Sequence, residues 1–321
     1  MRRISKNFII DLLLSPLTLL SALWLKYIRK NIVGYIGDSS CVSKKIFYNI
    51  GVFPILDHYY EPLFNPKRLR FSLRDDRKLA GIDWNISEQL SLLQAFKFND
   101  EILEISKRPP DELTFSLANS SFGFGDADYL YNMVRFLKPK RVIEIGCGNS
   151  TLMMQHAIAA NKIKNSSYSC DHICIEPYPS EWLGKLPVHL IRDFVEKTDL
   201  GVFKTLSEND ILFIDSSHII RPQGDVLFEY LELLPMLLPG VVVHVHDIFT
   251  PKDYLSEWFH VGKVFWNEQY LLEAFLTCNT TFKIIGALNF LMHNYYNELS
   301  AKAPLLKEGR EPGSFWIKRV K

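Results

Sequence analysis

Charge of neither sign predominates in this chain: 37 Lys and Arg stand against 36 Asp and Glu, a net charge of +1. Beyond short clusters near the amino terminus there is no dense basic patch. A general nucleic-acid binder needs such a patch to displace phosphate counterions, so nucleic acid is not an expected partner. Cysteine is also sparse, with five in 321 residues at positions 41, 147, 170, 174 and 278. An odd, irregularly spaced set makes no disulfide framework, and a reducing, cytoplasmic setting fits better. Cys170 and Cys174 flank Asp171-His172, but the spacing is not that of a zinc knuckle. Internal repeats and low-complexity tracts are missing too, which sets aside solenoids and long disordered segments.

What remains is ordinary folded material, 47% hydrophobic and 23% charged, long enough for one large domain or two modest ones. Residues Phe8 to Leu25 are mostly apolar, bracketed by Arg2, Arg3 and Lys6 and by Lys26, Arg29 and Lys30. Asp11, Ser15, Thr18, Lys26 and Arg29 share one helical face, which predicts an amphipathic helix over residues 1–32. Basic flanks favour anionic headgroups, so residues 8–30 are expected to make peripheral contact with a membrane. The alternatives are a helix docked on its own domain, a membrane span, and a signal segment. No small-residue cleavage site supports the last.

Residues 33–110 mix short helical patterns with Pro- and Asn-containing turns and read as an extension or cap. Lys107-Arg108-Pro109-Pro110 looks like its boundary, since paired prolines break helix and strand alike. Over residues 111–321 strands alternate with helices. Arg141–Ile145, Ile173–Ile175, Val188–Ile191, Asp210–Ile214 and Val241–Val245 read as strands, and Asp126–Leu137, Thr151–Ala160 and Val226–Leu238 as helices. Strands apolar throughout, separated by helices, predict an α/β fold with a mainly parallel sheet covered on both faces. Tyr270–Leu276, Phe282–Leu288 and Phe315–Lys318 are candidates to complete the sheet.

Ligands of such sheets bind at the carboxyl ends of the strands, and polar residues collect there. Val142 to Thr151 runs strand, glycine turn, helix start. Gly146 and Gly148 permit a tight turn and close approach of a ligand, and Ser150 or Asn149 can cap the helix. A dinucleotide fingerprint needs a third glycine where Thr151 stands. Glu144, two residues before the first glycine, would repel phosphate but suits a sulfonium and an ammonium group. Glu176 ends the second strand, placed to accept ribose hydroxyls, and Asp193 follows the third as a candidate near the adenine.

Val142 to Thr151, with Glu176 and Asp215, resembles the donor motifs of class I S-adenosylmethionine-dependent methyltransferases. Ile211 to His218, Val243 to Phe249 and Asp57 to Pro62 are similar to a bacterial branch associated with polysaccharide and sugar methylation. The resemblance implies a Rossmann-like domain over 111–321. It also implies a donor site drawn from Glu144, Gly146, Cys147, Gly148, Ser150, Glu176, Asp193 and Asp215, and O-methylation of a saccharide or glycan precursor at the inner face of the membrane. His246, then His218, is the expected general base, with Asp247 beside them. Asp215 and Asp247 are the expected ligands of a Mg²⁺. Trp266 to Tyr270 is expected to line the acceptor side. An NAD-type oxidoreductase and a non-catalytic donor-binding partner of a polysaccharide assembly complex are the competing readings.

Overall fold

The computed structural model describes residues 6–33, 41–109, 111–119, 121–262 and 264–321. The chain divides into two compact units, Met1–Phe71 and Ser72–Lys321.

In the first unit, α1 (Lys6–Ile28) continues into a wider turn at Arg29–Val33 and is followed by α2 (Val42–Ile50). Pro16 lies inside α1, where its missing N–H leaves the Leu12 carbonyl without its usual partner. The Ser15 hydroxyl donates to that carbonyl at 2.8 Å, so the helix runs on. Arg29 ties the unit together, pairing with Glu61 and donating from Nε to the Pro54 carbonyl. The apolar side chains of α1 from Phe8 to Trp24 are exposed.

In the second unit a seven-stranded sheet runs in the order β3-β2-β1-β4-β5-β7-β6. Its strands are β1 (Arg141–Ile145), β2 (Asp171–Ile175), β3 (His189–Ile191), β4 (Ile211–Ile214), β5 (Val242–Val245), β6 (Phe282–Ala287) and β7 (Phe315–Arg319). The first five are parallel, and β7 is antiparallel to both its neighbours. This is a Rossmann-like α/β fold, as expected. Alternate residues feed two cores: Val142, Phe213 and Trp316 on one face, Ile143, Leu212 and Phe315 on the other.

Two expectations change. Tyr270–Leu276 is not a strand but part of a helix, Glu268–Leu276, whose Leu272 and Leu276 bury into the second core at helical spacing. The boundary falls near residue 71 rather than 110. The helices α3 (Ile86–Ala95) and α4 (Asn99–Ser106) place Leu93, Phe96, Ile102 and Ile105 in the first core, against α5 (Asp126–Leu137). Glu101 fastens this packing by accepting from Tyr131 Oη at 2.7 Å and Arg135 Nε at 2.8 Å. The paired prolines therefore follow a helix end within one unit.

Candidate functional site

The order reversal between β1 and β4 opens a crevice at the carboxyl ends of the strands. Gly146 makes the turn out of β1 at φ +78°, and a Cβ there would lie 1.9 Å from the Asp215 carbonyl oxygen. Only glycine satisfies both constraints. Gly148, by contrast, is extended and faces open space. The helix α6 (Asn149–Lys164) follows. Neither Ser150 nor Asn149 caps it; Thr151 Oγ1 accepts from the Gly148 N–H at 3.0 Å instead.

Two cavities meet along Gly146, Glu176 and Asp215. One, of about 260 Å³, has Tyr178, Phe194 and Val195 among its walls and Arg221 at its edge. The other, of about 210 Å³, is bordered by Cys147, Gly148, Ser150 and Phe122. Glu176 is fixed at the rim: Oε2 accepts from the Cys147 N–H at 3.1 Å and Oε1 from the Tyr178 N–H at 2.9 Å.

Two of the expected donor residues lie elsewhere. Glu144 is fully buried on the sheet face that α6 covers, not in the crevice. Its carboxylate accepts from Ser150 Oγ at 2.6 Å and His172 Nε2 at 3.0 Å. Register explains the placement, because Glu144 pairs with Cys174 and shares the strand face of Val142. Burial would deprotonate His172, but Cys174 and Glu144 outweigh it and raise its pKa to about 10. Asp193 is exposed and accepts the Phe194 N–H, while Phe194, Val195 and Glu196 line the crevice in its place.

Beyond Asp215 the crevice meets a cluster of two acids and two histidines. His246 Nδ1 stands 3.6 Å from Asp215 Oδ1 and 3.5 Å from Asp247 Oδ1. His218 Nε2 stands 3.3 Å from Asp215 Oδ1 and 3.6 Å from Asp247 Oδ2. Backbone strain is concentrated here, with His218 at φ +60° and Asp247 at φ +57°. Burial alone would keep both histidines neutral, yet the facing carboxylates hold their pKa values well above the ordinary one. Burial likewise opposes ionisation of Asp215, but the His246 and His218 charges hold it well below the usual carboxylate range.

The two histidines are supported differently. His218 Nδ1 donates to the buried Glu268 Oε2 at 2.8 Å, and Tyr230 Oη donates to Oε1 of the same carboxyl at 3.0 Å. His246 Nε2 is buried with no hydrogen-bond partner among the described residues, 3.9 Å from Asp126 Oδ2. The single ligand atoms of Asp215, His246 and Asp247 lie within 4.8 Å of one another, close enough for one cation to reach all three. The sequence pointed to the two acids; His246 joins them through the fold.

A larger cavity, about 520 Å³, opens on His246, Asp247 and Asp126 and is walled by Phe124, Trp258 and Arg310. Trp266 to Tyr270 does not line it. That segment braces the cluster from behind: Trp266 packs on the His218 ring at 4.4 Å and Gln269 Oε1 accepts from the Phe249 N–H. Asp126, Arg221 and Arg310 were not legible beforehand, since each meets the site from a distant segment with no local motif, and Glu268 was expected on the acceptor side rather than behind His218.

Residues 143–248 match the family model described as a methyltransferase domain. A protein of Archaeoglobus fulgidus described as uncharacterized is 32% identical over 167 residues, which span 48% of this chain and 74% of that protein. Among solved structures, an O-methyltransferase from Bacillus cereus in complex with SAH is 11% identical, with TM-score 0.35 over 73% of this chain and 91% of that one. The MycE methyltransferase of the mycinamycin biosynthetic pathway, in complex with Mg and SAH, is 16% identical, with TM-score 0.37 over 67% and 56%. Both structural likenesses are remote. Residues 143–248 thus carry a methyltransferase domain, and the chain belongs to one family with the Archaeoglobus fulgidus protein.

Proposed function

We propose that the protein is an S-adenosylmethionine-dependent O-methyltransferase acting on a hydroxyl of a saccharide or glycan precursor at the inner face of a membrane. The observation that carries this reading is the crevice itself. Gly146, Glu176 and Asp215 border both of its cavities, and Asp215 also belongs to the acid–histidine cluster that borders a third. The Gly146 turn leaves room for a donor, Glu176 stands at the rim where a carboxylate could accept ribose hydroxyls, and Tyr178 and Phe194 offer flat walls to an adenine. The saccharide assignment leans on the resemblance of residues 211–218 and 243–249 to sugar-associated methyltransferases.

The donor set of Asp215, His246 and Asp247 fits a divalent cation, two hard oxygens with one imidazole. Such a cation would polarise an acceptor oxygen and offset the two carboxylates. On this reading His246 is a ligand and His218 the base, the reverse of their order in the sequence analysis. The reason is orientation: Glu268 fixes His218 Nδ1 and leaves Nε2 facing the cluster. The acceptor hydroxyl gives its proton to His218 Nε2, its oxygen bonds the methyl carbon, and the carbon–sulfur bond breaks to leave S-adenosylhomocysteine. His218 must begin neutral, so the field of the two carboxylates has to be offset first. His246 and Asp247 hold the acceptor side while the apolar walls limit water.

Calorimetric titration with S-adenosylhomocysteine, with NAD as control, tests the donor assignment. We expect saturable binding of the first and none of the second; the opposite pattern would remove the reading.

A further inference from the structure

Phe124 stands at the wall of the large cavity with two cations against its ring. The Arg310 guanidinium lies 4.3 Å from the ring centroid and the Lys307 ammonium 5.3 Å. Both side chains are exposed, and neither has a carboxylate within 4.0 Å among the described residues. The acid on this side of the cavity, Glu311, is already taken by Arg74 and His293. At the floor, His246 and His218 face Asp215 and Asp247, two imidazoles against two carboxylates, and Asp126 lies 3.9 Å from His246 Nε2. The rim therefore carries the Arg310 guanidinium, with the Lys307 ammonium against the same aromatic ring. A guanidinium stacked on a ring keeps its N–H edge free for a planar or tetrahedral oxyanion.

We infer that the acceptor carries an anionic group, a carboxylate or a phosphate, which Arg310 and Lys307 hold at the rim while a hydroxyl reaches the Asp215–His246–Asp247 floor. This rests on the methyltransferase reading and goes beyond it by naming the charge of the substrate. A volume of about 520 Å³ accommodates a sugar ring and its charged substituent together. A neutral sugar would leave both cations without a partner, whereas an anionic one gains a charge-assisted contact.

The test uses the full chain saturated with S-adenosylhomocysteine and three probes: glucuronic acid, glucose 1-phosphate and glucose. Binding is followed by saturation-transfer NMR and calorimetry. At least one anionic probe should bind about tenfold more tightly than glucose, and which one does so separates carboxylate from phosphate recognition. The double variant Arg310→Gln, Lys307→Gln should lose that advantage while keeping the wild-type affinity for S-adenosylhomocysteine. Both positions are exposed, and an unchanged melting temperature confirms the fold. Equal binding of all three probes, no binding of either anion, or an advantage that survives in the double variant overturns the inference. Failure of S-adenosylhomocysteine to bind the wild-type chain would instead strike the donor assignment on which it stands.

Discussion

A single glycine decides whether the crevice exists. At Gly146 a methyl group would meet the Asp215 carbonyl at 1.9 Å, in a backbone conformation that side chains resist. Gly146→Ala should cost at least about 2 kcal/mol and abolish binding of S-adenosylhomocysteine, read by thermal unfolding with and without the ligand. Glu144 has the opposite lesson. An acid two residues before a glycine turn suggested contact with a cationic ligand, but strand alternation turns the side chain inward to His172 and Ser150. Its part is structural, and pH should expose it. The His172 pKa is raised to about 10 in the folded protein, so its stabilising effect is complete below the ordinary value near 6.5 and fades as pH rises towards 10. The melting temperature should therefore fall between pH 7 and 10. In His172→Asn that slope should flatten, with an overall loss of about 3–5 kcal/mol because Glu144 is left buried and unpaired. A wild-type slope retained in the variant would show that another group titrates.

At the scale of elements, the five parallel strands and the helices 126–137 and 149–164 were legible because uninterrupted apolar runs and helical spacing leave few alternatives. The segment 270–276, a candidate strand by its sequence, is helical instead, because a short apolar run has no decisive period and its polar partners lie far off in sequence. The helix expected over Val226–Leu238 is present but interrupted, with a wider turn at Glu229–Leu233 beside Pro235. Paired prolines at 109 and 110 suggested a boundary, but a break in local structure says nothing about which core the preceding helices join. Phe96, 1% exposed, packs edge-on against Tyr129 of α5. Phe96→Ala should lower stability by about 3–5 kcal/mol in chemical denaturation, as for any large aromatic removed from a core. A loss below about 1 kcal/mol would mean that α3 is dispensable to that core.

For the whole molecule, α1 and the turn after it form a stretch of 28 residues that contains an apolar window of 18 residues with mean hydropathy 2.0, none of it buried. Leaving Phe8, Leu13, Leu20 and Trp24 in water is costly at roughly 25 cal/mol per Å² of apolar surface, so a lipid phase is the medium we propose for this helix. Its polar stripe is narrow, and length and composition suit a span as well as a surface helix. Deleting residues 1–33 should move the protein from the membrane to the soluble fraction on ultracentrifugation and leave S-adenosylhomocysteine binding intact. An unchanged distribution would end the idea of a lipid anchor. By itself the sequence determined the class of fold, the glycine turn and the acids at the strand tips, because apolar period, glycine content and strand-end polarity are local properties. Tertiary structure alone decided that Glu144 turns inward. It also decided that Glu268 orients His218 and that two cations flank Phe124. Each of these depends on strand register or on loops brought together across the chain, and no local pattern encodes such meetings.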